Sequence, residues 1–335
     1  MGNYIDNSTL LSGLTLYRDE LTMSEILTES VFSARTVAMC KLAPGVKGTQ
    51  TINLMTSQPV WSVAQCGLQA GTGSVTLAQR DITVADLSQT EDICLVGANT
   101  LSKYYTGVLM PRGINQEELT PRNFAKAYLA DKVNKIKDTV EHLVWIGNTS
   151  YAPGASGSYS SLQYANLANG FIYQLRQGSG TSSVINGNGT FSGALSYGTV
   201  EPVINGMIED LPQAIADKEL VLFMSLANYR QVINYLIKSN NYHFTAIDQS
   251  AAPGGWKVTW PFASNVTIVA TSGLENRNDL VLSYPENFYV GVDGESDFDQ
   301  FNIWFSNDLN AVRFRVQMRL GTAIAYPQYV VYYRG

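Results

Sequence analysis

Charged residues are scarce in this 335-residue chain, at 15% of the sequence, against roughly a quarter in typical soluble domains. Neutral polar residues take their place. This composition is typical of a surface largely covered by neighbouring subunits, because interface centres are poor in Lys, Glu and Asp, and it also fits a secreted β protein. The net charge of −6 argues against a dedicated nucleic-acid binder, which needs a concentrated basic face.

Histidine and cysteine are also rare. With only His142 and His243, a His-based metal site or catalytic triad is hard to assemble, and we expect His142 to be solvated or at an interface. The cysteines are odd in number and widely spaced, which indicates reduced thiols and a cytoplasmic protein. These are Cys40, Cys66 and Cys94. The glycine-rich segments lack the spacing of nucleotide-binding loops, so no cofactor is expected.

Long apolar runs are absent as well. No stretch of 18 consecutive apolar residues occurs, and the N-terminus lacks a charged segment followed by an apolar run. Membrane spanning and secretion are therefore not expected. One acidic segment does stand out, with an acid at every second residue. Its members are Asp293, Glu295, Asp297 and Asp299.

This acidic segment has two interpretations. It is similar to half of a calcium-binding loop, but Gly294 falls at the second position and the terminal bidentate Glu is missing. We therefore favour a loop that faces solvent or pairs with arginines of the same subunit or the next one. Those arginines are Arg313, Arg315 and Arg319.

Residues 120–147 predict one long helix. Thr120 is a suitable N-cap, Pro121 fits the first turn, and Gly147 ends the helix. At about 1.5 Å per residue the helix spans roughly 40 Å, the width of a whole domain. Six apolar residues share one face: Leu129, Val133, Ile136, Val140, Leu143 and Val144. The opposite face is predicted to be polar and mildly basic, with Arg122, Lys126, Lys132, Lys135 and Lys137.

Two segments precede this helix. Residues 1–45 predict an extended arm whose leucines, including Leu10 and Leu14, need a partner to cover them. Residues 46–97 predict a charge-poor, two-stranded excursion with strands around Ile52 and Ile82. Because an isolated hairpin is marginal in water, this one should lie on another surface. The alternative is an ordinary sheet edge of a compact domain.

The region after the helix predicts α+β packing. Helices from Thr199 to Pro212 and around 229–237 alternate with buried strands at 220–224 and 266–270. In 311–321 apolar residues alternate strictly with arginines and Gln317, and pairing Phe305 with Val312 places the apolar side chains on one face. We expect a last strand over 324–333, with Pro327 at an edge or bend.

This order of parts resembles the major capsid proteins of tailed bacteriophages, which have the Hong Kong 97-type fold that encapsulins share. The resemblance is carried by HLVWIGNTS at 142–150 and RFRVQMRLGTAIAYPQYVVYY at 313–333. It implies an α+β fold with the following parts: N-arm 1–45, E-loop hairpin 46–97, P domain 98–150 with spine helix 120–147, A domain 151–285, and returning P-domain strands 286–335.

The function implied by the resemblance is structural, not enzymatic. Hexamers and pentamers of the chain would form an icosahedral shell around double-stranded DNA in a virion assembled in the host bacterial cytoplasm. Implied partners are a separate scaffold protein, a portal and accessory or decoration proteins. A lysine-to-asparagine cross-link is not expected, because no lysine occurs from Gly48 to Ser102. The alternatives are an encapsulin-type compartment and a soluble α+β enzyme or carbohydrate-binding protein.

The resemblance also yields two sets of candidate site residues. Interface candidates are Leu10, Leu14, Trp61, Gln69, Arg80, Asp297, Asp299, Arg313, Arg315 and Arg319. Inner-face candidates, which would touch DNA without sequence preference, are the five basic residues of the long helix. No metal is expected, with the four alternating acids as the weak exception.

Overall fold

The computed structural model describes residues 36–58, 60, 73–94, 121–151, 164–177, 185–186, 193–239, 257–293, 302–306, 308 and 311–334. The α-helices in this part of the chain are α1 Pro121–Ile146, α2 Phe171–Gln177, α3 Val200–Glu209 and α4 Leu226–Lys238. The strands are β1 Lys41–Ala43, β2 Thr49–Gln58, β3 Ser74–Cys94, β4 Ile185–Asn186, β5 Leu220–Ser225, β6 Lys257–Trp260, β7 Ala263–Thr271, β8 Leu280–Ser283, β9 Phe288–Val292, β10 Asn302–Ser306, β11 Ala311–Ile324 and β12 Val331–Tyr333. They form two sheets.

Sheet 1 has the order β1-β9-β11-β3-β2, with β10 also paired to β11. The predicted hairpin is confirmed, since β2 and β3 are antiparallel from Thr49↔Thr83 to Gln58↔Ser74. Its second strand is much longer than predicted. β3 continues past the hairpin and pairs with β11 from Val84↔Gly321 to Cys94↔Ala311, so the hairpin grows directly out of sheet 1.

The strand pair β10–β11 follows the predicted register. Phe305 pairs with Val312, and Phe314, Val316 and Leu320 are buried on one face of β11. The alternation has fixed this register, because a slip of one residue would turn the apolar side chains to the other face.

Sheet 2 has the order β4-β12-β8-β5-β7-β6. The prediction of one last strand over 324–333 is wrong. β11 ends at Ile324, Pro327 opens a short 3-10 turn over Pro327–Tyr329, and β12 then pairs with β8 in the second sheet. Proline has no N–H for a strand ladder, so the chain changes sheets where Pro327 interrupts the pairing.

Sheet 2 is covered on both faces. Val221 and Phe223 of β5 belong to the core shared with α1, α2 and sheet 1, whereas Leu220, Leu222 and Met224 pack with α3 and α4. Successive strand residues point to opposite faces, so a strand buried on both sides reads as the continuous apolar run found here. The helices predicted in this region are confirmed as α3 and α4. Ile237, the last apolar residue of the predicted helix around 229–237, is exposed.

The end of α1 joins the two sheets. Ile136, Val140, Leu143 and Val144 are buried, as the apolar pattern predicts; the side chains of Leu129 and Val133 lie outside the described part. Trp145 is fully buried between rings from α2, β5 and β9, with centroid distances of 5.4, 4.8 and 6.1 Å. These rings are Phe171, Phe223 and Phe288.

The predicted polar face of the long helix is wrong over its last two turns. Every residue from Val140 to Gly147 is buried, including Glu141 and His142. The reason is that two sheets and the segment 36–43 surround this end of α1. Val37 of that segment is buried in the same core, so the end of the predicted arm is part of its own subunit.

Candidate assembly surfaces

The outer half of the β2–β3 hairpin carries an exposed apolar patch. Met55 and Leu77 are direct cross-strand partners, and Val75 lies two residues from Leu77 on the same face. Their exposed fractions are 65%, 76% and 63%. No described residue covers them. We call this set, Met55, Val75 and Leu77, the hairpin patch.

The hairpin contacts its own chain at the level of the hairpin patch. On the opposite face Leu54 is buried, and the Tyr326 hydroxyl donates to the Met55 carbonyl oxygen at 3.5 Å. Farther out, the cross-strand pair Thr56 and Thr76 is exposed. The hairpin is therefore held to its own chain near Leu54 and Met55, while the side chains of the hairpin patch stay uncovered by the described residues.

The polar face of sheet 1, opposite α1, is built from alternate residues of two paired strands. On β11 these are Arg313, Arg315, Gln317 and Arg319; on β3 they are Asp92, Thr90, Ser88 and Asp86. Arg313 donates twice to Asp92, at 2.6 and 3.0 Å, and its hydrogen bond holds the pKa of the Asp92 carboxyl below its ordinary value. Arg319 donates to Asp86 at 2.6 Å and also pairs with Asp293.

These contacts revise the expected partners of the arginines. Asp293, the first acid of the predicted cluster, does meet Arg319 within the subunit. Arg313 instead pairs with Asp92, 221 positions away in sequence. Arg315 pairs neither with Asp293 nor with a carboxylate of β3. Its Nε is buried and has no hydrogen-bond partner among the described residues.

The inner-face candidates differ in their surroundings. Lys132 pairs with Glu91 of β3, Lys135 is exposed, and Lys137 is half-buried. The side chains of Arg122 and Lys126 lie outside the described part, so their role stays a prediction. Lys132 is thus already paired with a carboxylate of sheet 1, while Lys135 is open to solvent.

His142 and Glu141 have structural partners. The expectation of a solvated or interface histidine is wrong, because His142 is buried and its Nδ1 lies 2.9 Å from the Tyr164 hydroxyl. Thr36 donates to Glu141 Oε1, and Thr271 donates to the same oxygen at 2.6 Å. These hydrogen bonds to Glu141 connect the segment before β1 with α1 and with the end of β7.

Several candidates lie outside the described residues and remain predictions: Leu10, Leu14, Trp61, Gln69, Glu295, Asp297 and Asp299. Arg80 is half-buried, opposite Ile52 in the hairpin. Over the described ranges, no group of three or more His, Cys, Asp or Glu side chains could hold a metal ion. None of the helices in the same ranges is long and apolar enough to cross a membrane.

Sequence reasoning missed two groups. The hairpin patch had a usable signal, since Val75 and Leu77 alternate with polar residues in a charge-poor strand. A buried ionic network around Asp279 had none. Arg176 of α2, Arg277 and Tyr332 of β12 all contact this carboxylate, and they are brought together only by the fold.

No protein-family model matches the chain, and no curated protein matches its sequence. Among solved structures, a chain of the satellite phage P4 procapsid including size determination (Sid) protein is similar with a TM-score of 0.57. The identity is 11%, over 98% of each chain. Gordonia phage Cozz matches with a TM-score of 0.47 and 10% identity, over 89% of this chain and 85% of that one.

The SrpI encapsulin of Synechococcus elongatus PCC 7942 also has a TM-score of 0.47, with 8% identity over 91% of this chain and 88% of the other. At such identities a structural likeness speaks to the fold, and the procapsid chain is the match that carries it. The chain therefore has the Hong Kong 97-type fold of bacteriophage capsid proteins, which the sequence resemblance predicted.

Proposed function

We propose that this chain is the major capsid protein of a tailed bacteriophage, a structural subunit that assembles through hexamers and pentamers into an icosahedral shell around double-stranded DNA. The procapsid-like fold supports a shell subunit. The observation that carries the proposal is the hairpin patch, an apolar surface on a two-stranded ribbon that the described residues leave uncovered.

The hairpin patch is costly for an isolated subunit. Full burial of a Val, Leu or Met side chain contributes about 1.5–3 kcal/mol, and each of these three is about two-thirds exposed. Covering the patch on a neighbouring subunit would therefore contribute about 1–2 kcal/mol per side chain. In a closed shell every subunit both gives and receives such a contact, so modest contacts add up over many interfaces.

The surface composition supports the same conclusion. Charged residues form only 15% of the chain, and charge is depleted where subunits cover one another. In the proposed particle a separate scaffold protein, a portal and accessory proteins would act with the chain in the host cytoplasm. Lys135, together with Arg122, Lys126 and Lys137, would face the packaged DNA without reading its sequence, whereas Lys132 is held by Glu91 of β3.

Assembly of the full chain tests the proposal. The wild type and a triple variant, Met55→Thr with Val75→Thr and Leu77→Thr, are produced in bacterial cells and compared by sedimentation and electron microscopy. We expect shells or capsomers from the wild type. The variant should keep the wild-type circular dichroism but need about a hundredfold or more higher concentration to assemble, since 1.4 kcal/mol corresponds to tenfold.

The matched control changes the opposite face of the same ribbon. Thr56→Ser with Thr76→Ser alters the exposed cross-strand pair of β2 and β3 and should assemble like the wild type. A wild-type chain that stays a stable monomer would contradict the shell assignment, and a triple variant that assembles normally would remove the hairpin patch from it. Neighbouring genes for a terminase and portal support a phage, whereas a cargo-enzyme gene would indicate an encapsulin.

A further inference from the structure

We propose that Arg315 is an intersubunit contact, which binds a carboxylate of a second copy of the chain on the polar face of sheet 1. This inference rests on the proposed shell function and assigns one residue and its partner chemistry within it. The polar face is exposed along β3, where Asp86, Ser88, Thr90 and Asp92 all reach solvent.

The arginines of this face occupy three rungs of the β3–β11 ladder. Arg313 is opposite Asp92 and Arg319 is opposite Asp86, and each of these pairs is closed within the subunit by a hydrogen bond of 2.6 Å. Arg315 is opposite Thr90 on one side and Asn302 on the other. The position between these two pairs therefore has the Arg315 guanidinium but no carboxylate residue opposite it.

The Arg315 guanidinium is partly desolvated but not satisfied. Its Nε is buried without a hydrogen-bond acceptor in the described part of the chain, and the residue as a whole is half-buried. A guanidinium offers five N–H donors in a planar fork that matches a carboxylate. A buried donor without an acceptor is unfavourable. Because Arg315 as a whole is only half-buried, a carboxylate from outside the subunit would reach the guanidinium at the part of the side chain that stays accessible. It would supply charge that the described part of the subunit does not.

The charges around Arg315 favour a protein carboxylate over nucleic acid. Asp86, Asp92 and Asp293 neutralise Arg313 and Arg319, so the face lacks the concentrated positive potential that phosphate backbones require. A single carboxylate from a partner would neutralise the Arg315 guanidinium, which lies between the closed pairs of Asp92 and Asp86. The chain has 28 acidic against 22 basic residues, so a second copy can supply that group at a fixed position.

The test is the assembly of an Arg315→Gln variant beside the wild type. We expect the concentration for half-assembly to rise about tenfold or more, the effect of losing one partner of a desolvated charge pair, with an unchanged melting temperature. Arg230→Gln is the matched control, because it removes the same charge from an exposed position of α4 and should assemble like the wild type. Equal weakening of both variants would overturn the proposal, since it would report net charge alone.

Further measurements separate this inference from the shell function. In a reconstruction of the wild-type particle, a carboxylate of an adjacent copy should lie within about 4 Å of the Arg315 guanidinium, and assembly should depend less on salt in Arg315→Gln than in the wild type. Wild-type shells with Arg315 facing solvent, or an Arg315→Gln variant that assembles normally and only packages less DNA, would overturn the inference and leave the shell assignment intact. A wild type that forms no assemblies would overturn both.

Discussion

Asp279 holds together parts of the chain that are far apart in sequence, and its removal should unfold the subunit at mild denaturant concentrations. The carboxylate is 1% exposed and accepts from Arg176 Nη2 at 2.7 Å and from the Tyr332 hydroxyl at 2.7 Å. Arg277 Nε is at 2.5 Å from its second oxygen. The network thus links α2, the turn before β8 and the last strand of sheet 2.

The expected loss in the free energy of unfolding of Asp279→Asn follows from the two arginine cations that the substitution leaves without a carboxylate. Breaking a buried ion pair by removing one partner typically costs about 3–5 kcal/mol. Here the side chains of Arg176 and Arg277 are 24% and 14% exposed, so water can partly solvate the orphaned cations. We therefore expect the low end of the range, about 3 kcal/mol.

The pH dependence has a definite sign. Burial alone raises the pKa of the Asp279 carboxyl, but the charge of Arg277, the hydrogen bond from Tyr332 and the charge of Arg176 hold this pKa below its ordinary value. A carboxyl with a lowered folded-state pKa stabilises the fold fully above its unfolded value of about 4. That contribution is lost as the pH falls through the folded-state pKa.

The assay is urea unfolding of the full chain at pH 7 and at acidic pH, followed by tryptophan fluorescence. The free energy of unfolding of Asp279→Asn should lie about 3 kcal/mol below the wild type at pH 7, and the difference should shrink below pH about 4. Asp86→Asn is the control, because Asp86 is 81% exposed and an exposed pair contributes at most about 1 kcal/mol. Equal stabilities of Asp279→Asn and the wild type at pH 7 would refute the reasoning.

Three further substitutions or reactions test the core. Ile136→Asp should abolish folding, because it places an unpaired charge in the buried face of α1; soluble, wild-type-like protein would show that this face is wrongly assigned. Gly321→Ala should cost at least about 1–3 kcal/mol in urea unfolding, because an added Cβ would lie 2.3 Å from the Thr83 carbonyl oxygen. Burial and the charge of Glu141 raise the pKa of the Cys40 thiol, so peptide mapping after alkylation of the native subunit should find Cys40 unmodified, and fast labelling at neutral pH would contradict this burial.

A strand can be predicted from sequence when the same face is buried along its whole length. The extent of β11 was predictable because one face packs on the core and the other is polar along its described length. The extent of β3 was not, because the buried face changes along the strand. Ile82 is buried near Val46 and Gly291, whereas Leu87, at the opposite parity, faces α1. The switch breaks the two-residue period, so 21 residues of strand looked like a short one.

The partners of the polar residues were harder to predict than their faces. Alternation placed Arg313, Arg315 and Arg319 on one side of β11, and the alternating acids that begin at Asp293 were predicted either to face solvent or to pair with them. That prediction is confirmed for Asp293 and Arg319, but the register of β3 also brings Asp92 to Arg313 and Asp86 to Arg319 from more than 200 positions away. Arg315 differs from Arg313 and Arg319 only after these pairs have been identified, because it is then the arginine of this face that has no carboxylate partner in the described part of the chain. An intersubunit contact of this kind therefore needs the register of the fold as well as the sequence.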